Sequence, residues 1–280
     1  MRAHLLPLAR LLPLAAALSS DFIQNDVLRA SRRSVLKDIF GGLSVATVTT
    51  IANPMPSFSD ESVSDKLQRI YDSGSSTYDK LYSDSLVSKA LDFPSLRASL
   101  LSKAYGDVLE IGVGTGLNLP YYPSGGNKMT SYTAFDISPK MMERAKMKIE
   151  RGNIASSLEK LNKQGKVRFR IEDVNTLADV FDGHKFDCVI DTFSLCVFPQ
   201  PIKALEQARS VLKPGGRMLL LEHQDSLLGK TLDPTRGIAD VIGTCRYNDD
   251  VLGLLKSAGF DEIESSKSYA GGFLLEVVAS

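Results

Sequence analysis

Three glycines at alternate positions directly follow the apolar run VLEI at residues 108–111: Gly112, Gly114 and Gly116. Because glycine has no Cβ, a strand that ends in such a turn lets a ligand lie against bare backbone. Acidic side chains that could accept hydrogen bonds from such a ligand stand near the ends of three successive apolar runs: Glu110, Asp136 and Asp173. One such acid alone is more typical of a solvated loop, but three at successive strand ends favour a nucleoside-binding site.

The spacing of the glycines separates two kinds of nucleoside cofactor. The dinucleotide fingerprint is G-x-G-x-x-G, whereas this chain has G-x-G-x-G and places Leu117 where the last glycine would stand. Glu110, two residues before the first glycine, would repel the pyrophosphate of NAD but not a sulfonium nucleoside. The pattern therefore favours S-adenosyl-L-methionine as the cofactor, with a nicotinamide oxidoreductase as the alternative.

The elements that must position these residues alternate between strand and helix. Short, branched apolar runs predict strands at 107–111, 130–135, 167–172, 186–191 and 217–222. Helical spacing predicts helices at 139–151, 154–163, 201–212 and 248–258, and two more, joined by a loop near Gly74, within 62–101. The glycines of KPGG, 213–216, predict a turn into the fifth strand, and the tail predicts a hairpin around Gly271 and Gly272. The predicted fold class is α/β: a doubly wound, seven-stranded, mostly parallel sheet with a terminal antiparallel hairpin.

Five segments resemble, in order and spacing, the motifs of class I S-adenosylmethionine-dependent methyltransferases: VLEIGVGTG, YTAFDISPKMMERAK, IEDVNTL, FDCVIDTFSLC and LKPGGRMLLLEH. The resemblance covers residues 62–280. The sequence around DTFSLC and NLPYYP is similar to that of the methyltransferase-like 7 (thiol methyltransferase) and Oms1-type groups. It implies a Rossmann-like fold in which three sets of residues hold S-adenosylmethionine. They are Glu110, Gly112, Gly114 and Gly116 for the methionine end, Asp136 and Ile137 for the ribose, and Asp173 and Val174 for the adenine. Tyr78 resembles a tyrosine that closes over the cofactor.

The implied reaction is direct displacement of a methyl group by an acceptor atom, which requires a base only when the acceptor arrives protonated. His223, at the end of the fifth predicted strand, is the candidate base; the alternative is that it only caps the strand. Asp191 and Thr192, at the end of the fourth, are candidates for contacting the methyl donor or the acceptor. The segment 225–249, with Arg246 and Tyr247, is expected to form part of a lid over a small, lipophilic acceptor: a thiol, a phenol or quinone precursor, or another isoprenoid.

Composition excludes some classes of function. Lys plus Arg and Asp plus Glu both number 33 in 280 residues, and this balance argues against a nucleic-acid partner. The cysteines are far apart and form no CxxC pair, so no zinc site or disulfide framework is predicted: Cys188, Cys196 and Cys245. A binding module without turnover, acting as an organellar assembly factor, remains the alternative to an enzyme.

Residues 1–60 are expected to be a targeting leader and linker, followed by a methyltransferase domain at 61–280. Residues 1–20 are rich in leucine and alanine and contain no acid, and SRRSVLK, 31–37, precedes a small-residue apolar run that reaches residue 52. This arrangement resembles a twin-arginine export signal behind a presequence and favours a plastid, including its thylakoid. A mitochondrial presequence is the rival, a tail with chance arginines the third alternative, and the apolar run also predicts peripheral membrane association.

Overall fold

The computed structural model describes residues 62–83, 86–124, 129–224 and 250–280. The predicted leader, the predicted lid segment with Arg246 and Tyr247, and Cys245 lie outside these residues. The two remaining cysteines, Cys188 and Cys196, are both buried.

A seven-stranded sheet forms the centre of the fold. Its strands are β1 Gly106–Ile111, β2 Met129–Asp136, β3 Val167–Ile171, β4 Phe186–Thr192, β5 Leu212–His223, β6 Ile263–Tyr269 and β7 Leu274–Ala279. The strand order is β3-β2-β1-β4-β5-β7-β6. The first five strands pair in parallel and β7 pairs antiparallel with both β5 and β6. This confirms the predicted doubly wound, mostly parallel sheet with an antiparallel terminal hairpin.

The sheet is buried on both faces because its central strands direct apolar side chains to both sides. Val108 and Leu109 of β1 are fully buried in two different clusters, one on each face of the sheet, as are Cys188 and Val189 of β4. Strand order reverses at β1, which lies between β2 and β4. In open parallel sheets, ligands bind beyond the carboxyl ends of the strands at such a switch point.

The described helices are α1 Val63–Gly74, α2 Tyr78–Ser83, α3 Leu86–Ala90, α4 Phe93–Leu101, α5 Pro139–Glu150, α6 Ser156–Lys163, α7 Leu177–Phe181, α8 Pro201–Ser210 and α9 Val251–Ser257. Their ends follow local chemistry: the side chains of Ser62, Asp92 and Ser138 accept backbone N–H groups at the starts of α1, α4 and α5. No helix of the described ranges is long and apolar enough to cross a membrane.

Two predicted boundaries were wrong. Residues 62–101 contain four helices instead of two, because Asp92 adopts a left-handed conformation (φ 52°) and begins a new helix there. Strand β5 begins at Leu212 rather than at Arg217, since Leu212 already pairs with Phe186. The KPGG glycines form an irregularity inside the strand, where Gly215 has a φ of +75°, instead of a turn before it.

Candidate functional site

A cleft of about 710 Å³, including the part open to solvent, lies at the carboxyl ends of β1, β2 and β4, beneath helices α1 and α2. Eight residues that the sequence analysis selected line it: Tyr78, Gly112, Gly114, Asp136, Ile137, Asp173, Val174 and Thr192. The remaining four are not among the residues that line it: Glu110, Gly116, Asp191 and His223.

The three glycines have different structural roles, although all have positive φ. A Cβ on Gly112 would lie 2.4 Å from the Oγ of Ser194, so the backbone and this serine are in close contact. A Cβ on Gly114 would meet nothing closer than 4.0 Å, which leaves its backbone open to a ligand. A Cβ on Gly116 would lie 2.5 Å from Leu119 and 3.2 Å from Ala145 of α5. Gly116 therefore permits helix packing and does not line the cleft.

Asp136 is buried at the end of β2 and faces the cleft. Its Oδ2 accepts the N–H of Gly114 at 2.7 Å, and its Oδ1 accepts the N–H of Ser138 at 2.8 Å. Burial raises the pKa of this carboxyl to about 6, against the opposing effect of those two hydrogen bonds. The carboxylate thus links the glycine turn to the start of α5 and keeps lone pairs available for hydroxyl groups of a ligand.

Asp173, just beyond β3, lies on the same wall of the cleft as Val174. Its Oδ1 accepts the backbone N–H of Asn175 at 2.8 Å, and its Oδ2 accepts the hydroxyl of Ser64 at 2.5 Å. Ser64 belongs to α1, so this bond brings the first helix down onto the cleft. A carboxylate in this position can accept a hydrogen bond from an amino group of a ligand.

Glu110 does not reach the cleft because neighbouring side chains occupy both of its oxygens. Tyr122 and Tyr132 donate their hydroxyls to Oε2 at 2.6 and 2.5 Å, and Asn118 donates to Oε1 at 3.0 Å. Burial raises the pKa of this carboxyl, while these hydrogen bonds lower it. Glu110 therefore supports the floor of the site from behind, and its predicted direct contact with a cofactor stays a prediction.

The floor also contains a buried arginine that sequence reasoning missed. Nη1 of Arg97, in α4, donates to Asn118 Oδ1 at 2.5 Å and to Thr192 Oγ1 at 2.9 Å. Its guanidinium lies 4.9 Å from the centre of the Phe193 ring, which lines the cleft. The sequence FPSLRASLL offered one signal, a single charge within an otherwise uncharged helix, and nothing to show its partners.

Asp191 and His223 lie deeper than Thr192. Asp191 is fully buried and accepts the hydroxyl of Ser194, and burial raises its pKa. His223 packs among aromatic rings, with centroid separations of 4.7 Å to Phe193 and 5.2 Å to Phe273. Burial, reinforced by the positive charge of Arg97, lowers the pKa of His223 to about 3.

Helices α1 and α2 cover the cleft with tyrosines and are held down by polar contacts. The ring of Tyr78 stacks on Tyr82 at 5.4 Å. Asp72 accepts the hydroxyl of Ser138 at 2.6 Å, and Asp79 accepts that of Thr115. We call α1 and α2 together the cap.

Comparison with known proteins agrees with this geometry. Residues 109–220 match the family model described as a methyltransferase domain. The chain is 30% identical to "Methyltransferase OMS1, mitochondrial" of Saccharomyces cerevisiae, over 62% of this chain and 38% of that protein. It is 32% identical to human "Thiol S-methyltransferase TMT1B", over 60% of this chain and 66% of that protein. The match therefore spans less than two thirds of either relative. A solved structure, the DhpI–SAH complex, is similar with a TM-score of 0.52 and 21% identity, over 77% of this chain and 96% of that one.

The strand order, the glycine turn after β1 and the acids after β2 and β3 define the class I methyltransferase fold. The chain belongs to the class I S-adenosylmethionine-dependent methyltransferases, in the group that includes Oms1 and TMT1B.

Proposed function

We propose that this protein transfers a methyl group from S-adenosylmethionine to a small, lipophilic acceptor. The observation that carries the proposal is a single cleft in which a bare glycine backbone, Asp136, Asp173 and Tyr78 lie together in the family's order. The open backbone at Gly114 and the inward-facing carboxyl of Asp136 fit a nucleoside.

In this mechanism the chain acts mainly by binding and alignment. The cofactor supplies a methyl group on a sulfonium, which is already a good leaving group. Asp136 would accept the ribose hydroxyls, Asp173 the adenine amino group, and Tyr78 of the cap would shield them from water. Alignment alone can contribute about 7–11 kcal/mol to the lowering of a barrier, so no dedicated base is required for an acceptor that arrives ionised.

The part of the lining that follows β4 supports a lipophilic acceptor. It includes the apolar residues Phe193, Val197, Phe198 and Pro199. The human relative is named as a thiol S-methyltransferase, which favours a thiol. A phenol or quinone precursor and other isoprenoids match the same apolar wall, and an acceptor panel that contains all three classes distinguishes them.

The yeast relative is named as mitochondrial, and this favours a mitochondrial location for the present protein over the plastid that the twin-arginine pattern predicts. Peripheral membrane association stays a prediction, because the residues that suggest it lie outside the described ranges.

The test of the function is thermal unfolding of the full chain with S-adenosylhomocysteine and, separately, with NAD. A ligand at a hundred times its dissociation constant stabilises by about 2.7 kcal/mol, which should raise the midpoint by roughly 5–11 °C. A shift with S-adenosylhomocysteine alone, followed by radiolabelled methyl transfer to a member of the acceptor panel, supports the proposal. A shift with NAD alone overturns it, and cofactor binding without any turnover indicates a binding module.

A further inference from the structure

One flank of the domain concentrates positive charge. Residues 139–171, which form α5, α6 and β3, contain ten Lys or Arg against three Glu, whereas the other described residues contain 13 against 20. Six of the ten are exposed and form no ion pair within the described ranges: Lys140, Arg151, Lys160, Lys166, Arg168 and Arg170. The charges of the described residues balance overall, so the domain is strongly polarised.

The three elements lie side by side at the edge of the sheet. Strand β3 is an outer strand, and α5 and α6 pack on one face beside it. The apolar residues of both helices join a single cluster with the sheet: Met142, Ala145, Ile149, Leu158 and Leu161. Their charged sides therefore face outward. In β3, Phe169 packs against the same cluster, and Arg168 and Arg170 alternate with it. We call the exposed Lys and Arg residues of 139–171 the basic flank.

Exposed apolar side chains border the basic flank. Val63, the first residue of α1, is 62% exposed, and Ile171, the last residue of β3, is 39% exposed. The elements that carry them meet, because Ser64 donates its hydroxyl to Asp173, two residues beyond Ile171. Nine residues separate this end of the domain from the apolar run that ends at residue 52. Basic residues beside exposed apolar side chains are typical of proteins that bind the interface of a bilayer.

We propose that the basic flank docks the domain on a bilayer surface that contains anionic lipids. Each Lys or Arg near such a surface is attracted to its negative potential, and Val63 and Ile171 can enter the headgroup layer. A nucleic acid fits the flank less well. Proteins that bind single strands stack bases on aromatic side chains, and the one aromatic residue of 139–171, Phe169, is partly buried with Lys146 5.1 Å from its ring centre.

This inference goes beyond the proposed function and does not rest on its chemistry. Docking would nevertheless bring the cleft next to the bilayer, since Asp173 of the cleft wall lies two residues beyond the end of β3. A lipophilic molecule partitions into the bilayer, so the flank would place the cleft beside its source.

The experiment measures the partitioning of the full chain onto phosphatidylcholine vesicles, with and without one third phosphatidylglycerol. The unaltered protein should bind the anionic vesicles more tightly, and high salt should weaken this binding. In the double variant Lys160→Gln/Lys166→Gln the partition coefficient should fall about ten- to thirtyfold. The matched control is Lys203→Gln/Lys256→Gln, which removes two exposed lysines from α8 and α9 and should partition like the unaltered protein.

A second pair of variants tests the apolar contribution. Ile171→Ser should lower partitioning about three- to tenfold, because its exposed area no longer enters an apolar layer. Ile263→Ser is the control, since Ile263 is 38% exposed and lies in β6 at the opposite edge of the sheet.

The outcomes decide the proposal independently of the proposed function, which is tested by cofactor binding. Equal binding to both kinds of vesicle overturns it, and so does a flank variant that partitions like its control. If the unaltered protein binds neither kind of vesicle but binds a mixed-sequence RNA, and the flank variant loses this binding, the partner is a nucleic acid and the lipid proposal is overturned.

Discussion

At the scale of single residues, the ionisation of Asp136 links binding to pH. Its pKa is raised to about 6 from 3.8 by burial, so the folded protein holds this proton more tightly than the unfolded chain does. The contribution of Asp136 to folding stability therefore falls as pH rises from about 4 to about 6. Its value as an acceptor for ribose hydroxyls changes in the opposite direction, because the ionised form is the stronger acceptor.

The affinity for S-adenosylhomocysteine is accordingly expected to increase with pH through about 6. At pH 5 the dissociation constant should be about tenfold larger than at pH 7, and in Asp136→Ala it should be large throughout and lose this dependence. Calorimetry between pH 5 and 8 measures the dissociation constants of the unaltered protein and of Asp136→Ala. Asp261→Ala changes an exposed side chain and is the control, which should show the same pH dependence as the unaltered protein. A parental affinity that stays flat over this range contradicts the assignment of Asp136 to the ribose.

The environment of His223 disfavours its predicted role as a base. With a pKa lowered to about 3, the imidazole accepts a proton from a thiol or phenol far less readily than an ordinary histidine. We expect His223→Gln to keep cofactor affinity and to lower kcat by less than about tenfold, since positioning supplies most of the effect. Steady-state kinetics check this, and a loss of about a hundredfold in kcat at unchanged cofactor affinity would instead establish His223 as the base.

At the scale of elements, the cap is attached to the rest of the domain both by aromatic packing, with Tyr82 at 5.9 Å from Phe193, and by polar contacts. Asp72 near the end of α1 accepts both the hydroxyl of Ser138 and the backbone N–H of Lys140, at 2.6 and 3.0 Å. These bonds attach the cap to the start of α5, next to the Asp136 wall. We therefore expect binding and release of a cofactor to require these bonds to open.

Asp72→Ala should accordingly loosen the cap and speed the dissociation of S-adenosylhomocysteine by about three- to tenfold, the effect of one or two lost hydrogen bonds to a charged group. Stopped-flow displacement measures the rate. Lys66→Ala changes an exposed side chain of the same helix and should leave the rate unaltered. Equal rates in Asp72→Ala and the unaltered protein would show that α1 does not gate the cleft.

The elements were predictable where the signal is local. Apolar runs located every strand of the parallel sheet, and the acids after β2 and β3 fall on the cleft as predicted. The start of β5 was missed because the KPGG glycines are typical of a turn, whereas the pairing of Leu212 with Phe186 is a tertiary contact that the local sequence does not show. Arg97 and Ser64 were missed for the same reason: both lie on helices that precede β1, and only packing brings them to the cleft.

At the scale of the whole molecule, the zero net charge is the sum of two unlike parts. Residues 1–52 contain six Lys or Arg against three Asp, so the remainder carries the acidic excess. A basic, acid-poor segment ahead of an acidic body is typical of imported proteins, since the presequence is recognised through its charge and apolar face. Targeting and catalysis are thus expected to be separable along the chain.

A reporter fusion tests this separation and also distinguishes the two organelles. Residues 1–61 fused to a fluorescent protein should direct it to mitochondria, and residues 62–280 alone should leave the reporter diffuse. Replacement of both Arg32 and Arg33 by lysine keeps the charge, so mitochondrial import should continue, whereas a twin-arginine export signal depends on the arginines themselves. If the reporter instead reaches the thylakoid and the double replacement abolishes this delivery, the leader is a plastid signal of the twin-arginine type. A diffuse signal from the 1–61 fusion would exclude both organelles, because the segment would then contain no functional targeting signal despite its charge pattern.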